Sequence, residues 1–432
     1  MRITIVGGGA AGFFGALAAA VADPSAQIDL FEAAPHPLQK VRISGGGRCN
    51  VTHHCYDPRE LVKGYPRGAR ELLGPFTRFG PRETVEWFEQ RGVRLKAEAD
   101  GRMFPVTDQS STVVDCLTRA ARDAGIHLRL GQNVKAVVAM PDVLALQSPK
   151  GPTSDPRFEI ALSDGSRERY DRVLLATGGS PQGYRLAASL GHSIVPCVPS
   201  LFTFNVTDAR LEGLAGISFE EAALTLSVDD SKALHQTGPM LVTHWGLSGP
   251  AVLKLSAWGA RVLAGSRYQS SLTVNFLPDL TTAHVREELA GFKVADARKR
   301  VQTDSRFGIP SRYWTRLVRH ASIAEDTIWS NVSNQALAAL VTELTAARFA
   351  ISGRGVFKEE FVTCGGVTLS EVDFKTMESK RVPGLYLAGE ILDIDGITGG
   401  FNFQSAWTTG WLAGKAAAGR SRSGRSGTII VL

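Results

Sequence analysis

The fold class predicted by the sequence is α/β, a largely parallel sheet whose domain is interrupted by a long insertion. Three observations predict it. Short apolar runs that stop at glycine stand near both chain ends, Ile3-Thr4-Ile5-Val6 and Leu385-Tyr386-Leu387-Ala388, as buried parallel strands do. A glycine turn and a small-residue helix follow each run, Ala10 to Val21 and Gln404 to Ala418. Between them, from about Ser193, the texture changes to short β-like runs broken by Pro and Gly, then to helical periodicity.

The elements follow in order. Ile3–Val6, Ala10–Val21 and Gln27–Phe31 make a βαβ unit at the N-terminal end. Helical patterns at Pro81–Arg91 and Ser111–Ala124 come next. Strand-like pieces at Val134–Val138, Phe158–Leu162 and Arg172–Ala176 then suggest a meander returning to the sheet, with a Pro/Gly/Ser loop over Ser148–Pro156. The insertion has a β-rich part, 193–280, and a helical part, 281–350, with helices near Val285–Leu289 and Gln335–Arg348. This gives a first domain segment over 1–192, its second over 351–418, and a basic tail over 419–432.

Composition narrows the function classes. With 432 residues, 44% hydrophobic, the chain can bury a large core. Its net charge of +6 admits a polyanionic partner without requiring one. The five cysteines, Cys49, Cys55, Cys116, Cys197 and Cys364, are odd in number and fit no metal-ligand spacing, so free thiols in a reducing cytoplasm are expected and no metal site. The start lacks the basic n-region and small-residue cleavage site of a secretion signal. No apolar run reaches the ~20 residues of a membrane span.

The chemistry lies in the glycine loops. Gly7-Gly8-Gly9-Ala10-Ala11-Gly12 follows a strand and opens a helix, with Glu32 at the end of the next strand. In this dinucleotide-binding pattern Gly7 makes the tight turn, Gly9 lets a pyrophosphate approach the backbone and Gly12 lets helix and strand pack closely. The helix start, with Ala10 and Ala11 in its first turn, offers amide N–H groups to phosphate, and Glu32 would accept ribose hydroxyls. Ala176-Thr177-Gly178-Gly179 ends a strand in small residues, Gly389-Glu390 ends another with an acid, and Gly399-Gly400-Phe401-Asn402 opens a helix whose positive end suits a reduced flavin. The ordered set selects FAD over NAD. Between them Lys40 and the run Ser44-Gly45-Gly46-Gly47-Arg48-Cys49-Asn50 read as an anion-binding nest. No second GxGxxG follows a strand, so NAD(P)H would have to meet the flavin in the substrate cleft. The five-residue spacer between Cys49 and Cys55 argues against a redox disulfide.

Taken together, these residues resemble the BaiN/RdsA-like family of FAD-dependent oxidoreductases, which includes aminoacetone-oxidase-type flavoproteins. The resemblance rests on Ile43–Thr52, Gly101–Val106, Thr243–Pro250, Val362–Val367, Thr376–Lys380 and Gly384–Gly414. It implies a Rossmann-like two-dinucleotide-binding-motif FAD domain carrying an inserted β-barrel-like domain and a small helical domain, with FAD bound non-covalently. It further implies that the strand at Val134 offers its backbone to adenine. His53, Phe401 and Cys364 depart from the family pattern, which puts any transfer of substrate in doubt.

Flavin carries hydride itself, so the protein must position substrate and move a proton. His244, Arg102 and Cys49 are the candidates: a titratable ring before a Gly-Ser-Gly turn, a cation for a carbonyl or anion, and a thiol. The resemblance leaves three readings open. One is reduction of a conjugated C=C bond with NAD(P)H as donor, the substrate being a small molecule or uracil in ribosomal RNA. The second is oxygen-dependent oxidation of a small amino ketone. The third is a flavin-bearing binding or assembly protein without turnover.

Overall fold

The computed structural model describes residues 1–140, 157–228, 231–355 and 362–419. The Ser148–Pro156 loop and all but the first residue of the basic tail lie outside them. Two compact units emerge: Met1–Cys197 with Gly365–Leu432, and Val198–Cys364.

The first unit is built on a seven-stranded sheet. Its order is Val372–Asp373, Glu378–Ser379, Leu385–Leu387, Arg172–Leu175, Arg2–Val6, Gln27–Glu32, His127–Leu130. The five strands from Leu385–Leu387 onward are parallel. Arg2–Val6 occupies the interior of the sheet, with Ile3 and Ile5 fully buried, which explains its unbroken apolar pattern. The two glycine-led helices, Ala10–Ala22 and Phe401–Ala418, pack together at backbone distance. A Cβ on Gly410 would lie 2.3 Å from the Ala11 carbonyl oxygen, and one on Gly414 would lie 1.9 Å from that of Gly15. Only glycine permits this seam. The meander is Val134–Ala139, Phe158–Leu162 and Arg167–Tyr170, antiparallel throughout, and Arg172–Leu175, expected as its third piece, instead lies in the parallel sheet beside Arg2–Val6.

The second unit holds a seven-stranded sheet ordered Ala347–Ile351, Ser270–Asn275, Ser218–Ser227, Leu234–Thr243, Gly246–Ser248, Phe204–Asn205, Gly353–Arg354. Its two outer members are separated in sequence only by Ser352, so one continuous stretch of chain serves both edges. This is the barrel-like closure the resemblance implied. Helices Thr282–Ala295, Ser311–His320 and Asn334–Thr345 follow the β-rich part. Helix is expected through Arg348, but the chain turns at Ala346 and residues 347–351 pair with Ser270–Asn275. The alternating burial of Ala347, Phe349 and Ile351, period two, outweighs the helical periodicity read through them. Among the described residues no helix is long and apolar enough to cross a membrane.

Candidate functional site

The loops singled out in the sequence converge within the first unit. Gly7 has φ +114°, and a Cβ there would meet the Ala176 carbonyl oxygen at 2.3 Å, so the Ala176–Gly179 strand end passes directly over the first glycine turn. A Cβ on Gly12 would sit 1.9 Å from the Gly7 carbonyl oxygen, the close packing expected of the third glycine. Gly9 differs: a Cβ there meets nothing within 4 Å. The cradle is therefore tight on its protein side and open where a pyrophosphate would approach. Gly9 provides no side-chain cap to the Ala10–Ala22 helix although Ala10, Ala11 and Gly12 are buried, which leaves first-turn amides for an anion.

Glu32 accepts the Gly8 N–H at 2.8 Å on one carboxylate oxygen and the Ala34 N–H at 2.8 Å on the other. Each oxygen keeps a second lone pair, so the carboxylate is fixed in place and still able to take ribose hydroxyls. Glu390 forms an ion pair with Lys40 and stands 3.6 Å from a Cβ on Gly178. Val134 begins its strand beside a register irregularity, and its carbonyl accepts a 3.4 Å bond from Gln182 Nε2.

The Ser44–Asn50 run adopts the backbone of a nest. The Gln39–Gly47 helix loses its α geometry at Ser44, and Gly45, Gly46 and Gly47 have φ of +58°, +68° and +83°. The change of hand from Gly47 to the right-handed Arg48 is the alternation that can turn successive amides toward one concavity. Its cations are less available than the sequence suggested. Arg48 donates to Glu98 at 2.7 Å and lies 3.9 Å over the Phe104 ring, and Lys40 is engaged by Glu390. Cys49 is fully buried, and burial pushes its thiol up to about 12, so it keeps its proton throughout the neutral range. None of the five cysteines is in a disulfide, Cys49 and Cys55 included.

The second helix start is Gly399-Gly400-Phe401-Asn402. Gly400, φ +93°, abuts the Thr52 carbonyl: a Cβ would be 2.3 Å from its oxygen. Asn402 ties the turn by accepting the Gly396 N–H at 2.8 Å and donating to the Gly396 carbonyl at 2.9 Å. Three contacts here escaped sequence reading. Tyr65 donates to the Phe401 carbonyl at 2.6 Å; Arg67 grips the fully buried Asp395; His53 stacks on Phe401 at 4.6 Å with Nδ1 2.9 Å from the Gly399 carbonyl oxygen. The Tyr65-Pro66-Arg67-Gly68 segment carried a turn signature but no sign of its distant partners.

Of the catalytic candidates, Arg102 is paired with Glu98 at 2.8 Å and Asp100 at 2.7 Å. His244 lies in the second unit, exposed at a two-residue hairpin tip with Trp245, 62% exposed, beside it. The tip is held by a 3.0 Å bond from the Val206 amide to the Trp245 carbonyl. Cys49 and Arg102 share the first unit with the nest, and His244 does not. Among the described residues no group of three or more His, Cys, Asp or Glu side chains could hold a metal ion.

A largely parallel sheet with a Gly7–Gly12 turn, an acid ending the next strand and a second glycine-led helix is the frame of a dinucleotide-binding flavoprotein, and the protein is an FAD-dependent oxidoreductase. The chain belongs to the HI0933-like protein Rossmann domain family, whose model matches residues 1–416. It is 32% identical to a 3-dehydro-bile acid delta(4,6)-reductase of Clostridium scindens, over 97% of this chain and 99% of the relative. It is 27% identical to a ribosomal RNA dihydrouridine synthase of Escherichia coli, over 94% of this chain and 95% of the relative. In fold it is similar to a 3-ketosteroid-delta4-(5alpha)-dehydrogenase of Rhodococcus jostii, with a TM-score of 0.50 at 14% identity over 97% of this chain and 96% of that one.

Proposed function

We propose that this enzyme reduces a carbon–carbon double bond conjugated to a carbonyl group, with NAD(P)H as electron donor. The observation that supports the reading is a Gly7–Gly12 turn open at Gly9, in a chain whose relatives at 32% and 27% identity are named a 3-dehydro-bile acid delta(4,6)-reductase and a ribosomal RNA dihydrouridine synthase. The net charge of +6 favours uracil in ribosomal RNA as the substrate.

Bound FAD would supply the hydride chemistry. The chain supplies the rest. The Ala10–Ala22 helix start and the Gly45–Gly47 amides hold the anionic part, Glu32 orients the ribose, and Glu390 with the Gly178-Gly179 turn lines the path between the two helix starts. The positive end of the helix that starts after Gly400, which has no side-chain cap, would stabilise negative charge on the ring system. His244 is the proposed proton donor to substrate, since Cys49 holds its proton too firmly and Arg102 is committed to two carboxylates.

The test is anaerobic. The flavin is reduced with NADPH or NADH, then offered an unmodified ribosomal RNA transcript or a 3-keto-4-ene steroid. Reoxidation by one of these, with the product two hydrogens heavier by mass spectrometry, supports the reading. If neither reoxidises the flavin and only oxygen admitted afterwards does, the reading is overturned. His244→Ala should slow reoxidation by about a hundredfold while leaving reduction by NAD(P)H unchanged.

A further inference from the structure

A second concavity lies in the first unit, away from the glycine loops. It is formed by the later turns of the Ala10–Ala22 and Phe401–Ala418 helices together with residues 87–91 and 116–124. Gly9 and Val21 are separated by about 18 Å of helix axis, so the groove and the dinucleotide cradle sit toward opposite ends of one helix. Its volume is about 860 Å³. That is the size of a small-molecule pocket, roughly 300–1,000 Å³.

The lining has a definite chemistry. Phe14, Trp87 and Trp411 give an aromatic floor, with Phe14 and Trp87 at 4.7 Å between centroids. Val21, 75% exposed, forms an apolar lip. Three cations stand around it, Arg91, Arg119 and Lys415, against a single lining acid, Asp123. Two of the cations are held over the floor itself: the Arg91 guanidinium lies 4.0 Å from the Trp87 ring centre and donates to the Trp87 carbonyl at 3.0 Å, and Lys415 Nζ lies 4.7 Å from the Trp411 ring centre. No carboxylate is paired with Arg91, Arg119 or Lys415 among the described residues. An apolar groove edged by cations without carboxylate partners complements a ligand with an apolar body and one negative charge.

We propose that this groove binds a small amphipathic anion, its apolar body along the Leu17, Ala18 and Val21 side and its carboxylate or sulfonate among Arg91, Arg119 and Lys415, which the Trp87 and Trp411 rings hold in place. The site is separate from the flavin cradle, so it stands whether or not the reductase reading holds. Calorimetric titration of the FAD-loaded protein with 2-naphthoate, and with the charge-reversed 2-naphthylmethylammonium, tests it. Naphthoate should bind saturably and the ammonium probe more weakly, with the flavin absorption bands unmoved. The double variant Arg119→Glu/Lys415→Glu, both at exposed positions, should weaken naphthoate about tenfold and strengthen the ammonium probe. Equal affinity for the two probes, insensitivity to the double variant, or no saturation below roughly 1 mM would overturn the proposal. So would a shift of the flavin bands, which would place the probe in the flavin site.

Discussion

The two glycine-led helix starts reach the same kind of geometry by different means. At Gly7–Gly12 the turn is held by its own neighbourhood: the Gly7 amide bonds to Phe31, Gly8 to Glu32, and Gly12 packs on Gly7. At Gly399–Asn402 the turn is held from far along the chain, by Tyr65, by Arg67 through Asp395, and by the Thr52-His53 strand. The first is a largely local motif: apart from the Ala176 strand end that passes over Gly7, its determinants fall within one βαβ unit. The second is a tertiary motif, fixed only when residues 52–67 and 395–402 fold together.

Substitutions can break that contrast, and the largest effect is expected in the tertiary turn. Asp395→Ala leaves the Arg67 guanidinium, 12% exposed, without its buried partner. It should cost about 3–5 kcal/mol, measured by denaturant unfolding, and release FAD. In the local turn, Gly12→Ala forces a Cβ against the Gly7 carbonyl and should cost about 3 kcal/mol. Gly9→Ala sharpens the point. Its Cβ enters open space, so stability should be unchanged while FAD affinity falls at least tenfold, or about 1.4 kcal/mol, by equilibrium titration. If Gly9→Ala bound FAD normally, the open side of the cradle would not be where pyrophosphate lies.

A second long-range network, outside the glycine loops, gives the comparison a control. Buried His192 lies 2.9 Å from both Glu371 and Ser379, and Arg381 also binds Glu371. Burial acts to raise Glu371, but Arg381, the Ser193 amide and His192 outweigh it and hold the carboxyl down at about 2. Burial lowers His192 against the pull of Glu371. The signs agree. The Glu371 contribution is complete above its ordinary 4.5 and fades as pH falls toward 2, and protonating His192 below its ordinary 6.5 also disfavours the folded state. Glu371→Gln should flatten the loss of thermal stability between pH 4.5 and 2 without changing FAD affinity at neutral pH. The smallest effect is expected at Cys49, whose buried protonated thiol should resist alkylation at pH 8 in the native protein while exposed Cys197 reacts.

The same contrast decides what the sequence made legible. Arg2–Val6, Ala10–Ala22, Gln27–Glu32 and Phe401–Ala418 were readable because their apolar periods and glycine stops are local. The first cradle was readable for the same reason. The Arg67–Asp395 pair, the Tyr65 bond and the His53 stack were not, because nothing in the spacing of charges or rings reveals a partner more than 300 residues away. The Arg48–Glu98 pair shows the converse: composition registers a cation in the loop, and only the fold shows the charge already occupied. Arg348 was misread because helical and strand periodicities overlap over a few residues, and pairing with Ser270–Asn275 decided between them.

The central claim is that the two helix starts together cradle a single FAD. Removing flavin, then titrating the apoprotein with FAD and with FMN while following flavin fluorescence, tests it directly. The account predicts saturation at one FAD per chain, acid release of intact FAD, and little affinity for FMN, which lacks the adenosine that Glu32 would hold. A protein that takes up no FAD, or binds FMN as well as FAD, would contradict it.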